Sequence, residues 1–263
     1  MAENTTLPSC LYLVILHPKL TPYIESISID SAVAHSTSPK LPYKILPSTA
    51  VVMGFQYRGN LNILRDNKLI PLKASGITGL QTSYRLFQGD NTTRSILIKF
   101  KPWGAAAFFN ESIHLFSDQS LSLSDILSPQ LMMQVEEQLW GSKPDPLELG
   151  SIIQNFLLKL LSMNTRKELK RNFIAAITDI TTHLGIEKIH LIANKHGFSE
   201  RNLERYFKEI VGLSPKQFSA IVRFQTAFHS LDNPRILENL GYYDQAHFIK
   251  DFKKFSGLTP RCF

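Results

Sequence analysis

Residues 197–215, Gly-Phe-Ser-Glu-Arg-Asn-Leu-Glu-Arg-Tyr-Phe-Lys-Glu-Ile-Val-Gly-Leu-Ser-Pro, are echoed by residues 241–260, Gly-Tyr-Tyr-Asp-Gln-Ala-His-Phe-Ile-Lys-Asp-Phe-Lys-Lys-Phe-Ser-Gly-Leu-Thr-Pro. With one extra residue in the second turn, Leu203 aligns with Phe248, Arg205 with Lys250, Phe207 with Phe252, Gly212 with Gly257 and Pro215 with Pro260. Such self-similarity marks one supersecondary unit made twice. In each copy a glycine turn leads into a helix whose aliphatic and aromatic residues face inward while basic residues face out. Each copy closes on Gly-Leu-[Ser/Thr]-Pro, where Ser214 or Thr259 can cap a helix and Pro215 or Pro260 can take its first position. A capped helix N-terminus is also a natural phosphate seat.

The pattern is that of a helix-turn-helix, near 188–211 and again near 235–256. Ala193 supplies a small residue where two helices touch, Gly197 a turn position tolerant of positive φ, and Leu203 an anchor for the second helix. Lys216 to Leu231 reads as one amphipathic helix tying the two motifs together. Upstream, Phe173, Ile177, Ile180 and Leu184 form the apolar stripe of a helix whose other face carries Lys170, Arg171 and Asp179. A shorter helix follows at Ile189, Ile192 and Ala193, with Lys188 a poor N-cap.

Charge says what such a pair would touch. Residues 166–263 hold 16 Lys+Arg against 10 Asp+Glu, a net +6, whereas 1–165 hold 13 against 12. A basic excess confined to one end points to a polyanion, with nucleic acid favoured over a membrane surface. Arg201, Glu204 and Arg205 share one helical face. Arg can bridge guanine O6 and N7, and Glu can accept from cytosine N4. Gln245, Ala246, Ile249 and Lys250 occupy the corresponding outward positions of the second copy, while His247 suits packing or capping. Two linked reading helices can enter successive major grooves about 34 Å apart.

The first half obeys another period. From Tyr43 to Lys101, β-branched and aromatic runs are cut by turns at Arg58-Gly59-Asn60, Arg65-Asp66-Asn67-Lys68 and Gln88-Gly89-Asp90-Asn91. These predict antiparallel strands at 50–57, 61–65, 68–73, 83–88 and 94–101. A short helix is expected over Leu20 to Ile27, entered through Thr21-Pro22, and two longer ones over Pro129–Trp140 and Asp145–Leu161. The fold class is therefore an α+β domain over 1–165, strands followed by helices, and an all-α domain over 166–263. Ser162 to Arg166 is the expected linker.

At 43% hydrophobic and 19% charged residues, the chain can bury a core. Its two cysteines, Cys10 and Cys262, have no C-x-x-C spacing, which argues against a zinc site or a disulfide framework and for a reducing setting. The run Leu11–Leu16 is too short for a signal peptide or a membrane span, so a cytoplasmic location is expected. No cofactor is expected.

Residues 168–263 resemble the AraC/XylS family of bacterial transcription regulators. The resemblance rests on Ala193 to Phe207 (A-x-x-x-G-F-S-x-R-x-L-x-R-x-F), on G-x-S-P at 212–215, on R-x-x-x-A at Arg223 to Ala227, and on G-Y…H-F-x-K-x-F…G-x-T-P from Gly241 to Pro260. It implies a regulator that binds double-stranded DNA, and it leaves open RNA polymerase, a second copy of the chain and a small-molecule effector as further partners. The first half also looks like a sensor-type domain of part of this family, through Leu20-Thr-Pro-Tyr-Ile-Glu and Ile98-Lys-Phe-Lys-Pro-Trp-Gly-Ala. Ser48-Thr49 replaces a usual Asp-Gly there, and Trp103 a common Gly. In the second motif Leu237 stands for a small residue, Lys250 for an Arg and Ile249 for a polar one, so that motif is expected to hold backbone more than read bases.

The alternative is an N-terminal domain whose ligand binding or catalysis is the main output. His17, His35 and His114 are scattered without an H-x-H pair, against a metal-dependent cupin enzyme. A DNA-repair alkyltransferase would need a cluster of N-terminal cysteines, where only Cys10 stands. Lys99-Phe-Lys-Pro-Trp-Gly could face an anionic effector, although a strand-to-helix junction uses the same letters. A signal-sensing pocket in this half should be mainly apolar.

Overall fold

A computed structural model describes residues 11–30, 41–165 and 169–262; Cys10, His35 and the Arg166 end of the expected linker lie outside them. The first part is two antiparallel sheets. Strands β1 (Leu11–Leu13), β2 (Ile24–Asp30), β4 (Val52–Arg58), β7 (Ser75–Thr78), β9 (Arg94–Phe100) and β10 (Ser120–Ser122) pair in the order β1-β2-β9-β4-β7-β10. Strands β3 (Tyr43–Ile45), β5 (Leu61–Arg65), β6 (Lys68–Pro71) and β8 (Arg85–Gly89) form the second sheet, β3-β8-β5-β6. Period-two alternation buries Met53, Phe55 and Tyr57 on β4 and Ile96, Ile98 and Phe100 on β9. Each such side chain contributes about 1.5–3 kcal/mol of transfer free energy. The β5–β6 hairpin closes on Asp66 and Asn67, both at positive φ (50° and 58°), as a tight two-residue loop demands.

The helix expected over 20–27 is absent. Residues 18–23 are a turn and Ile24 begins β2. Ile24 and Ile27 both point inward at a spacing of three because the β2–β9 register shifts between Ile24 and Ser26, and this irregularity mimics helical periodicity. Helices α1 (Pro129–Gly141) and α2 (Pro146–Met163) form where expected, capped by Ser128 and Asp145 with proline at their starts. Leu149, Ile153, Phe156, Leu157 and Leu160 bury the inner face of α2, and Phe156 meets Phe55 edge to face at 5.6 Å.

The second part is helical: α3 (Arg171–Thr182), α4 (Ile189–Lys195), α5 (Glu200–Tyr206), α6 (Pro215–His229), α7 (Pro234–Glu238) and α8 (Gln245–Ser256). Phe173, Ile177 and Ile180 are buried on α3, but Leu184 lies beyond its end at φ 55° and is exposed. The apolar core runs on from sheets to helices. Ile113 and Phe116, in a 3-10 turn before β10, belong with Ile210, Val211 and Phe218 to one cluster of buried side chains.

Candidate nucleic-acid interface

The first motif is α4, the turn His196-Gly197-Phe198, and α5. Gly197 takes φ 74°, and the Phe198 amide donates to the Ala193 carbonyl at 2.8 Å, ending α4 in a left-handed cap. Ala193 and Leu203 are fully buried where the two helices meet. Ser199 caps α5 by accepting from the Asn202 amide. One π-helical turn, Phe207–Val211, extends α5 to Gly212 (φ 101°), after which Ser214 and Gln217 form a reciprocal capping box on α6. Phe207 is the hub, edge-on to Phe173 at 5.4 Å and to Phe218 at 5.6 Å.

Packing of that face turns Arg201, Glu204 and Arg205 outward, and all three are exposed. Glu204 pairs with Lys208 at 3.0 Å, and the Arg205 guanidinium lies 5.4 Å from the Tyr206 ring centre. An exposed helical ion pair of this kind is weak.

The second motif is built on the same plan and held differently. Asp244 caps α8 by accepting from the His247 amide at 2.7 Å, and Gly257 ends it at φ 76°, matching Gly212. Phe252 and Phe255 pack on Phe224 of α6, at 5.4 and 5.0 Å. Leu237 is half-buried, in contrast to Ala193, and α7 is a single short turn. Gln245, Ala246 and Lys250 are exposed, but Ile249 is half-buried and not turned fully outward as expected. His247 accepts from the Tyr243 amide at 3.4 Å through Nδ1 and lies against Tyr242 at 5.4 Å, which fits packing.

Two fastenings hold the motifs, and the first of them carries no obvious sequence signal. Asp179 on α3 accepts from Lys195 at 2.8 Å and from His196 at 2.9 Å, pinning the turn of the first motif. Hydrogen bonds from Lys195 and His196 hold the Asp179 carboxyl below the ordinary carboxylate range. The sequence showed Asp179 only as a polar position opposite the apolar stripe. Asp179, His183 and Glu187 bring possible metal-ligand atoms within 4.8 Å of one another, yet Lys195 and His196 already occupy the aspartate. Arg223 on α6 is the second fastening. It donates to the Gly185 carbonyl at 3.3 Å and lies 5.7 Å from the Tyr242 ring, so it touches both motifs' surroundings. Burial pushes the Tyr242 phenol up to about 12.

An open cavity of about 810 Å³ lies between the turn before β2, the junction after β9, the end of α2 and the start of α3, walled by Tyr23, Trp103 and Leu161 and by the cations Lys19, Lys101 and Arg171. Lys101 donates to the Thr21 carbonyl at 2.7 Å and Trp103 Nε1 to the Pro22 carbonyl at 3.1 Å, so the junction 99–104 both turns the chain and lines the cavity. Lys99 instead pairs with Glu25 on the sheet. Among the described residues no helix is long and apolar enough to cross a membrane.

Residues 192–263 match a family model described as a helix-turn-helix domain, and residues 16–122 match a domain of unknown function, DUF6597. An uncharacterized HTH-type transcriptional regulator of Haemophilus influenzae is 31% identical over 99 residues, covering 36% of this chain; the match spans about a third (32%) of that relative's length. Among solved structures, ToxT from Vibrio cholerae is similar over 84% of this chain and 95% of its own at 10% identity, with a TM-score of 0.43. Unsaturated fatty acid bound wild-type ToxT from Vibrio cholerae strain SCE256 is similar over 86% and 95% at 11% identity, with a TM-score of 0.40. The AraC-like transcriptional activator CuxR is similar over 93% and 90% at 15% identity, with a TM-score of 0.29.

Proposed function

From an AraC-type helix-turn-helix domain at residues 192–263, we infer that this chain is a sequence-specific DNA-binding transcription regulator, with residues 1–165 as its signal-sensing part and 166–263 as its DNA-binding part. The observation that carries this reading is the equivalence of the two motifs. Each has a buried phenylalanine, Phe207 or Phe252, and a left-handed glycine, Gly212 or Gly257, at the end of a helix whose basic residues are exposed. The first motif, with Arg201, Glu204 and Arg205 on one face, is the base reader. The second, with Lys250, Lys253 and Lys254 exposed and Ile249 half-buried, contributes more phosphate contacts than base contacts, the latter through exposed Gln245 and Ala246.

The cavity walled by Tyr23, Trp103 and the start of α3 is the proposed effector site. Three cations around an aromatic and aliphatic wall suit an organic anion with an apolar body. DNA reading, not catalysis, is the output, which takes place in the cytoplasm. Selection of bound duplexes from a random pool by the full-length protein, followed by footprinting, tests this reading. A shared sequence motif with two protected major grooves per chain is expected, and recovery of unrelated sequences would refute it.

A further inference from the structure

The two equivalent glycine turns of the repeat are both held by the same body, the sheet-bearing first part. The Gly212 carbonyl accepts from Ser117 Oγ at 2.7 Å and from His114 Nδ1 at 2.9 Å. Gly212 is so close that a β-carbon there would stand 2.8 Å from Ser117 Oγ and 3.1 Å from the Ile113 carbonyl oxygen. At the second turn, Lys44 Nζ donates to the Ser256 carbonyl at 2.8 Å, and the Tyr84 ring covers Gly257 so tightly that a β-carbon would overlap it. Lys44 also sits over the Tyr84 ring, 4.5 Å from its centre.

The two jaws are tied together behind the contacts. The Asp118 carboxylate, next to Ser117, accepts from the Thr82 amide at 2.6 Å and from its hydroxyl at 2.7 Å, two residues before Tyr84. Arg85 donates to the Asp118 carbonyl and, at 3.0 Å, to Ser120. A rigid crosspiece thus joins the residue pair that grips the end of the first reading helix to the pair that grips the end of the second.

We propose that His114, Ser117, Lys44 and Tyr84 form a two-point gauge by which the first part fixes the separation and angle of the two reading helices, and so selects the spacing between the two half-sites on DNA. Gly212 and Gly257 are the gauge points because they are equivalent positions of the repeat, so holding both holds the two motifs in one register. Lys44 and Tyr84 matter most, since α8 has the weaker internal anchorage, with α7 a short turn and Leu237 only half-buried. These are positioning residues; none is asked to touch DNA. The inference rests on the two motifs being a DNA-binding pair.

Two measurements on full-length protein test it. Lys44→Ala/Tyr84→Ala and His114→Ala/Ser117→Ala variants are compared with wild type on a selected duplex and on the same duplex with one base pair inserted between the half-sites. The wild type should pay a steep penalty for the insertion, and the variants a penalty smaller by roughly five- to tenfold, the scale of one or two lost hydrogen bonds. Independently of DNA, spin labels at Asn202 and Gln245, in a background lacking Cys10 and Cys262, should give a narrow distance distribution that broadens in the variants. An unchanged insertion penalty, or a distribution equally narrow in variants that melt with the wild type, would overturn the gauge. Failure of any duplex to bind, with the distribution still broadening, would instead count against the DNA-binding reading.

Discussion

Asp179 Oδ2 lies 2.9 Å from Nε2 of His196, joining α3 to the turn of the first helix-turn-helix across 17 residues. Both side chains are largely buried, and the same carboxylate oxygen also takes Lys195. The orientation of α5, and with it of Arg201 and Arg205, is therefore set from outside the motif.

Asp179→Asn should lower stability by about 1 kcal/mol, the usual net value of a hydrogen bond lost between two such groups. Because the folded carboxyl is held below its ordinary 3.8, its contribution is complete above that value and is lost as pH falls through the lower folded value. Denaturant unfolding across pH checks this. Wild type and variant should differ at neutral pH and converge in acid, and a constant difference down to the acid limb would contradict the assignment.

Two left-handed glycines separate conformational strain from crowding. A β-carbon on Gly197 (φ 74°) meets nothing within 4 Å, whereas one on Gly212 (φ 101°) runs into Ser117 and Ile113. Gly197→Ala should cost about 1–2 kcal/mol from backbone strain alone. Gly212→Ala should cost more, and part of the excess should disappear in a Gly212→Ala/Ser117→Ala double variant. Thermal or denaturant unfolding of the four proteins decides it, and equal costs for the two glycines would show that the Gly212 turn is not in contact with the first part.

Occupancy of the cavity can be read from Trp103, which forms part of its wall. Dodecanoate should change the tryptophan emission at concentrations where dodecanol does not. A Lys101→Ala/Arg171→Ala variant should need roughly tenfold more, consistent with losing charge-assisted contacts at a partly exposed site. Equal responses to acid and alcohol would remove the anionic character assigned to the site.

The repeat was legible because its demands fall on letters: a glycine for each left-handed turn, a phenylalanine for each buried hub, and Ser214 for a cap. The central strands β4 and β9 were legible from the alternation of Phe55 and Tyr57 or Ile96 and Ile98. Strand β2 was misread because a register shift gives Ile24 and Ile27 helical spacing. Strands β7 (Ser-Gly-Ile-Thr) and β10 (Ser-Leu-Ser) are too short and too small in their side chains to show a period. The grip on the DNA-binding part was invisible for another reason. Its acceptors are the main-chain carbonyls of Gly212 and Ser256, and a carbonyl group leaves no trace in sequence. His114, which looks merely scattered along the chain, finds its partner 98 residues away.

The division of labour between the motifs is the central claim, and binding to matched and mismatched duplexes across a salt series measures it. Arg201 and Arg205 project from a helix fixed by Leu203 and Phe207, and a bidentate Arg–guanine contact is worth about 1–3 kcal/mol of discrimination. Arg201→Ala or Arg205→Ala should therefore flatten the preference at particular bases. Lys253→Ala or Lys254→Ala, beside buried Phe252 at the far end of α8, should weaken all duplexes alike and make the salt dependence shallower by about one unit per lost phosphate contact. If Arg205→Ala weakened every duplex equally while Lys253→Ala erased a base preference, the roles assigned to the two helices would be contradicted.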